Sequence, residues 1–188
     1  MINPALYSSA SPEHYTPHHI IEAAIKCMGG IHLDPCSNSK TNPNVPAVTV
    51  YTKEDDGLSK PWNGNVWLNP PFSVPKVDKN GKPVISPKTG KRIMSPVIHL
   101  WIEKLVFTHL VNKSIPMAIA LVPARTDTEW FKVLNNFPVC FVYGRLKFSD
   151  AKNSAPFPTA LIALGISSNK FAQHFEHIGR IYSPVTPF

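Results

Sequence analysis

Residues 97–125 read VIHLWIEKLVFTHLVNKSIPMAIALVPAR, and the second half of that stretch decides the fold. MAIALVP, residues 117–123, is an uninterrupted apolar run of strand length. That is the pattern of a strand in a parallel sheet covered on both faces. Residues 97–112 before it are apolar on most faces of a helix, which predicts a well-buried helix. Ser95 and Pro96 read as its N-cap and first-turn proline. A buried helix feeding a doubly covered strand is the unit of an α/β fold.

Working outward, the upstream chain repeats the theme. NVWL, residues 65–68, is a strand that runs into Asn69, and IHLDPC, residues 31–36, is a short buried strand ending at Asp34-Pro35. AVTVYT, residues 47–52, alternates and is β-branched, so it predicts a further strand. Residues 17–28 form an amphipathic helix, with Thr16 as N-cap, Pro17 as first residue and Gly29-Gly30 as its stop. Downstream, Thr126-Asp127-Thr128-Glu129 fits a capping box opening a helix through EWFKVLNN. VCFVYGRLKF, residues 139–148, reads as a hairpin or bent strand pair, and TALIALGI, residues 159–166, as the last core strand. Trp101 and Trp130 fall at apolar helical positions and are expected in the core. The expected architecture is one α/β domain over residues 1–188, with a Rossmann-like, mostly parallel sheet and an antiparallel edge.

Composition narrows the function. Proline accounts for 20 of 188 residues, about twice the usual ~5 %, and is spread without a repeat, so it marks rigid loops. No apolar run approaches the ~18 residues of a membrane span, and MINPALYSS lacks the charged and apolar segments of a secretory signal. Cys27, Cys36 and Cys140 show no C-x-x-C spacing, which reads as reduced thiols in a cytosolic protein without structural zinc. His14, His18 and His19 lie together with no cysteine or carboxylate spaced to complete a metal set, so no metal is expected. The net charge of +7 implies a polyanionic partner. Residues 73–96 hold Lys76, Lys79, Lys82, Lys88, Lys91 and Arg92 against Asp78 alone, which is +5 of that total.

Ligands of an open α/β sheet sit at the carboxyl ends of its strands. Three predicted strands end in LD-PC, WL-NPPF and LV-PAR, which puts Asp34, Asn69 and Arg125 on one rim if the strands are parallel. Asn-Pro and Asp-Pro are also ordinary turn formers; joint placement on strand ends favours a site. The rigid loop Asn69-Pro70-Pro71-Phe72 has a chemical use. The exocyclic amine of adenine is a poor nucleophile because its lone pair is delocalised into the ring. The Asn69 side-chain oxygen and the Pro70 carbonyl can accept its two N–H bonds and draw the nitrogen toward an attacking geometry. Phe72 can stack on the face of a flipped-out base.

With those residues in view, the chain resembles the phage DNA N-6-adenine methyltransferases of the Dam type. The resemblance runs from HYTPHHII through HLDPCSN, DDGLSKPWNGNVWLNPPFS and LVPARTDTEWF to GRLKF. It implies a class I methyltransferase fold, S-adenosylmethionine as cofactor, double-stranded DNA as partner and the host cytoplasm as the place of action. It implies no membrane, metal or obligatory protein partner. It further implies that Asn69–Phe72 hold the target adenine. Tyr15, Thr16, Pro17, Asp34, Pro35 and Cys36 would line the methionine end of the cofactor, and Asp56 would lie near its adenosine. The glycine-rich turn usual after the first strand of methyltransferases is replaced here by DPCSNSKTN. The basic insertion at 73–96 is longer than the pattern leads one to expect. Asn80-Gly81 within it signals a β-hairpin arm with a lysine-rich tip, able to lie along DNA phosphates; the alternative is a solvated loop. Arg125 serves either DNA contact or an ion pair, and Arg145 and Lys147 either a basic ledge or a turn. Two rival functions stand: an N-P-P-F methyltransferase acting on RNA or protein glutamine, and a catalytically inactive DNA-binding protein.

Overall fold

The structure, a computed structural model, describes residues 15–41, 43–148 and 154–185. Its centre is a seven-stranded sheet. The strands are β1 (Leu33–Asp34), β2 (Thr49–Val50), β3 (Val66–Leu68), β6 (Ala118–Pro123), β7 (Val139–Val142), β8 (Thr159–Leu164) and β9 (Gly179–Tyr182), in the order β2-β1-β3-β6-β8-β7-β9. The first four pair in parallel, and β8, β7 and β9 continue the sheet antiparallel. Five of the seven strands therefore point one way, as a Rossmann-like sheet with an antiparallel edge requires.

Side chains alternate across β3 and β6 because successive strand residues face opposite sides. Trp67, Ile119 and Leu121 enter the core layer shared with helices α1 (His18–Met28) and α4 (Ser168–Phe175). Val66, Leu68, Ala118, Ala120 and Val122 enter the layer shared with α2 (Ile98–Phe107) and α3 (Glu129–Lys132). The sheet is thus covered on both faces, which is why MAIALVP is apolar at every position. Trp101 is buried in the second layer, and Trp130 packs against it half-buried, edge-to-face with Phe131.

Several local expectations are corrected, each because a tertiary partner outweighs a local signal. Helix α1 begins at His18 with Pro17 in the cap position, since the Thr16 hydroxyl is engaged elsewhere; Gly29 closes it in the left-handed conformation, as expected. Ser95 and Pro96 belong to β5 (Met94–Pro96), paired with β4 (Ser73–Pro75), so α2 starts after Val97 without a side-chain cap. Beyond Phe107, α2 widens into a π-turn over Thr108–Asn112. The cap of α3 is Thr128, not Thr126, and its hydroxyl donates back to the Arg125 carbonyl; after four residues the helix tightens to a 3-10 turn, Val133–Asn136. VCFVYGRLKF does not fold back on itself. Only Val139–Val142 is strand, and its neighbours are β8 and β9. TALIALGI is not the last strand: Ser167 accepts from the Lys170 N–H to cap α4, and β9 follows at the sheet edge.

The basic arm is more than one hairpin. Its root is the β4–β5 ribbon. From there the chain makes one tight turn between Asp78 and Lys82, where Asp78 accepts from two backbone N–H groups. A second turn lies between Ser86 and Lys91. Bridges Val77–Pro83 and Ile85–Arg92 tie the pieces into a three-way arrangement. Asn80-Gly81 does mark a turn, but the lysines divide between two tips. Lys76, Lys79, Lys82, Lys88, Lys91 and Arg92 are all exposed.

Candidate active site

Strand β1 leads to β2 on one side, whereas β3 leads to β6 on the other. The crevice between the carboxyl ends of β1 and β3 is therefore the topological switch point, where open α/β sheets bind ligands. Asp34 ends β1, and Asn69 follows β3 directly. The expected rim exists, and both residues flank its crevice.

On the β1 side, Asp34 is only 4 % exposed. One carboxylate oxygen accepts from the Cys36 N–H at 3.1 Å, closing the Asp34-Pro35-Cys36 turn. Burial raises its pKa to about 7, against the lowering effect of the Cys36 and Ser37 hydrogen bonds. No Lys, Arg or His pairs with it among the described residues. A buried carboxylate with hydrogen-bond donors but no cation is suited to a cationic ligand. Packing, with the Asp34 charge added, holds the Cys36 thiol well above its usual range, so it stays protonated.

The loop after β2 closes on this turn. A Cβ at Gly57 would stand 2.2 Å from the Pro35 carbonyl oxygen, so only glycine permits the approach. Asp56 immediately before it is exposed and left-handed, with φ 52°. Asp55 is the structural acid of the pair. It accepts from Lys40 at 2.6 Å and from the Thr52 N–H and hydroxyl, which together bring its pKa down to about 2. Lys104 on α2 donates to the Leu58 and Lys60 carbonyls and lies over the Trp62 ring, tying the loop down.

On the β3 side, Asn69 is half-buried, Pro70 buried, Pro71 exposed and Phe72 half-buried. The Asn69 Nδ2 donates to Thr16 Oγ1 at 3.3 Å. That bond orients the carboxamide, with Oδ1 as its other, accepting end. The Phe72 carbonyl accepts from the Val97 N–H, so the loop is joined to the root of the arm. Phe72 meets Phe157 edge-to-face, with centroids 5.2 Å apart. Sequence reading missed Phe157; its one signal was an aromatic between prolines just ahead of a core strand. Further along the rim, Arg125 is exposed after β6 and makes no ion pair among the described residues.

The predicted cofactor residues Asp34, Pro35, Cys36 and Asp56 thus come together. Thr16 stands at Asn69, flanked by half-buried Tyr15 and Pro17. Comparison with known families adds one finding: the family model described as DNA N-6-adenine-methyltransferase (Dam) matches residues 8–161.

The chain belongs to the Dam family.

No curated protein and no solved structure matches it. For a Dam-family chain the partner class is DNA and the reaction class is N6-adenine methylation. The described residues contain no group of three or more His, Cys, Asp or Glu placed to hold a metal; His14 lies outside them. Among them, no helix is long and apolar enough to cross a membrane.

Proposed function

We propose that the chain is a single catalytic domain that transfers a methyl group from S-adenosylmethionine to N6 of an adenine flipped out of double-stranded DNA. The observation that carries this reading is the Asn69 amide, oriented by Thr16 at the switch point of a Dam-family sheet. S-adenosylmethionine, when bound, supplies an electrophilic methyl on a positively charged sulfur. Asp34 receives its amino group, Tyr15, Pro17, Pro35 and Cys36 line its methionine end, and Asp56 lies beside its adenosine. Thr16 holds Asn69 at the boundary of cofactor and base. The fit is electrostatic, since a buried carboxylate with no cationic partner among the described residues belongs to this end of the rim.

Asn69 Oδ1 and the Pro70 carbonyl accept the two N6 hydrogens, and Pro70 and Pro71 keep that carbonyl in place without later reorganisation. With the amine held there, S-adenosylmethionine would supply its methyl to N6 in line and leave as the neutral thioether, and the surplus N6 proton would pass to water. No side chain acts as a nucleophile, in keeping with a protonated Cys36. Phe72 stacks on the base and Phe157 braces Phe72 from its edge. The first test mixes the purified chain with duplex DNA and methyl-labelled S-adenosylmethionine. Label should enter DNA without added metal; label entering only RNA or protein would overturn the reading in favour of its rivals.

The aromatic pair gives a second expectation. Phe72→Ala should weaken binding of the flipped base by about 1–3 kcal/mol, and Phe157→Ala should weaken it in the same sense by a smaller amount. Both effects should be read as a higher KM for DNA, with Phe72→Tyr and Phe72→Trp retaining more activity. An unchanged KM in Phe157→Ala would remove that ring from the site.

The arm and Arg125 are assigned to the DNA backbone. Each phosphate contact releases counterions and steepens the fall of affinity with salt by about 0.9 in log–log slope. Replacing Lys79, Lys82, Lys88 and Lys91 by alanine should weaken DNA binding and flatten that slope, with cofactor affinity unchanged. A variant with wild-type affinity and slope would leave the arm a solvated loop. Lost sequence preference at nearly constant affinity would mean that it reads bases.

A further inference from the structure

Acids gather at one end of the rim, where Lys40 pairs with Asp55. Asp34, Asp55 and Asp56 occupy its β1–β2 end, and Asn69 stands beside them after β3. At the opposite end the strand directions bring together the residues after β7, those before β9 and the entrance to α1. They line an open concavity of about 390 Å³ with His19, Arg145, Lys147 and His177, with Tyr143 and Pro17 on its wall and no acid among the described lining residues. Leu146 and Phe148 are buried while Arg145 and Lys147 are exposed, so residues 145–148 run extended with both cations on the outer side. Alternate residues of an extended chain are about 7 Å apart, comparable with the spacing of successive phosphates on a strand. Tyr143 is 61 % exposed at the same mouth.

This concavity is distinct from the arm. The arm leaves the chain between β3 and α2, and the residues flanking it, Phe72 and Ile98, pack in the layer of α2. The concavity adjoins α1, which covers the other face. Pro17 connects it to the reaction site, because the preceding residue, Thr16, holds Asn69. From this arrangement we infer that the concavity formed by His19, Tyr143, Arg145, Lys147 and His177 is a second DNA-backbone site. It grips phosphates on the side of the flipped adenine opposite the arm, with Tyr143 placed to pack on a sugar or base.

The inference rests on DNA being the substrate, and the experiment separates the two. Duplex binding is measured against salt for the wild-type chain, Arg145→Ala/Lys147→Ala, Arg145→Lys/Lys147→Arg and the arm variant carrying four alanines. The double alanine variant should bind at least tenfold more weakly, with a salt slope lower by about 1.8 for two phosphates. The charge-conserving variant should keep the wild-type slope. Loss should also appear when the two changes are added to the arm variant, because the grips are separate. Both positions are exposed, so the thermal midpoint should be unchanged, and cofactor affinity likewise. If the wild type binds duplex DNA and the double alanine variant keeps its slope, the concavity is no DNA site while the methyltransferase reading stands. Saturable binding of inorganic phosphate or a free nucleotide, lost in the variant without any change in DNA slope, would assign the cations to a small anion instead. Failure of the wild type to bind DNA at all would remove both.

Discussion

Asn69→Ala is expected to abolish methyl transfer while leaving S-adenosylmethionine binding nearly intact. The alanine removes an acceptor whose work is done as N6 develops positive charge, so the loss falls on the transition state and not on the ground state. Loss of one such preorganised partner costs about 10²–10³ in kcat. Thr16 makes the prediction sharper. Its hydroxyl accepts from Asn69 Nδ2, so Thr16→Val keeps the carboxamide but removes that hold on its orientation. That variant should lose kcat by a smaller factor, with little change in KM for DNA. Asn69→Asp retains an acceptor and should keep more activity than Asn69→Ala. Single-turnover kinetics and calorimetry on the same preparations separate chemistry from binding. Full activity in Asn69→Ala would end the proposed role of the loop.

Asp34 carries the second large effect, and it has a pH signature. Burial raises its pKa to about 7, well above the ~3.9 of an unfolded aspartate. Between those two values the folded protein holds a proton that the unfolded chain has released, so its contribution to stability falls as pH rises through that window. The slope is at most about 1.4 kcal/mol per pH unit. Asp34→Asn has no such proton to lose. The stability difference between Asp34→Asn and the wild type should therefore shift in favour of the variant from pH 5 to pH 7, as read by thermal unfolding without cofactor. A cationic ligand needs the ionised carboxylate, so cofactor affinity should drop by up to tenfold per unit as pH falls below 7. Asp34→Ala and Asp34→Asn should bind weakly at every pH. Equal cofactor affinity in wild type and variants would move the methionine end of the site elsewhere.

What could be read from the residues alone follows a physical line. Asp34 and Asn69 were legible because an apolar strand that stops abruptly at a proline must end at the sheet rim, and the rim is where such folds bind. The parallel half of the sheet was legible for the same reason that β6 is apolar at every position. Less legible were features fixed by distant partners. Thr16 looked like a helix cap, but its hydroxyl is claimed by Asn69. Ser95 and Pro96 looked like a cap and were drawn into β5. Phe157 could not be paired with Phe72 by any local pattern, because β8 brings it there by inserting antiparallel beside β6. The second tip of the arm came from pairings around Ser86 and Lys91 that carry no Asn-Gly signal. Helix α4 was available to closer reading: Ser167 caps it, and Phe171 and Phe175 repeat at the helical spacing.

The family sets the reaction class, but the residues must carry it in this chain. The N-P-P-F loop can serve any planar amine or amide, so the identity of the modified atom is the central claim. Purified protein, S-adenosylmethionine and unmethylated duplex DNA are incubated, the DNA is digested to nucleosides, and the products are separated by mass spectrometry. N6-methyladenine should accumulate with the wild type and form at least about a hundredfold more slowly with Asn69→Ala. Methylated cytosine in its place, no methylated nucleoside at all, or N6-methyladenine undiminished in Asn69→Ala would contradict the account.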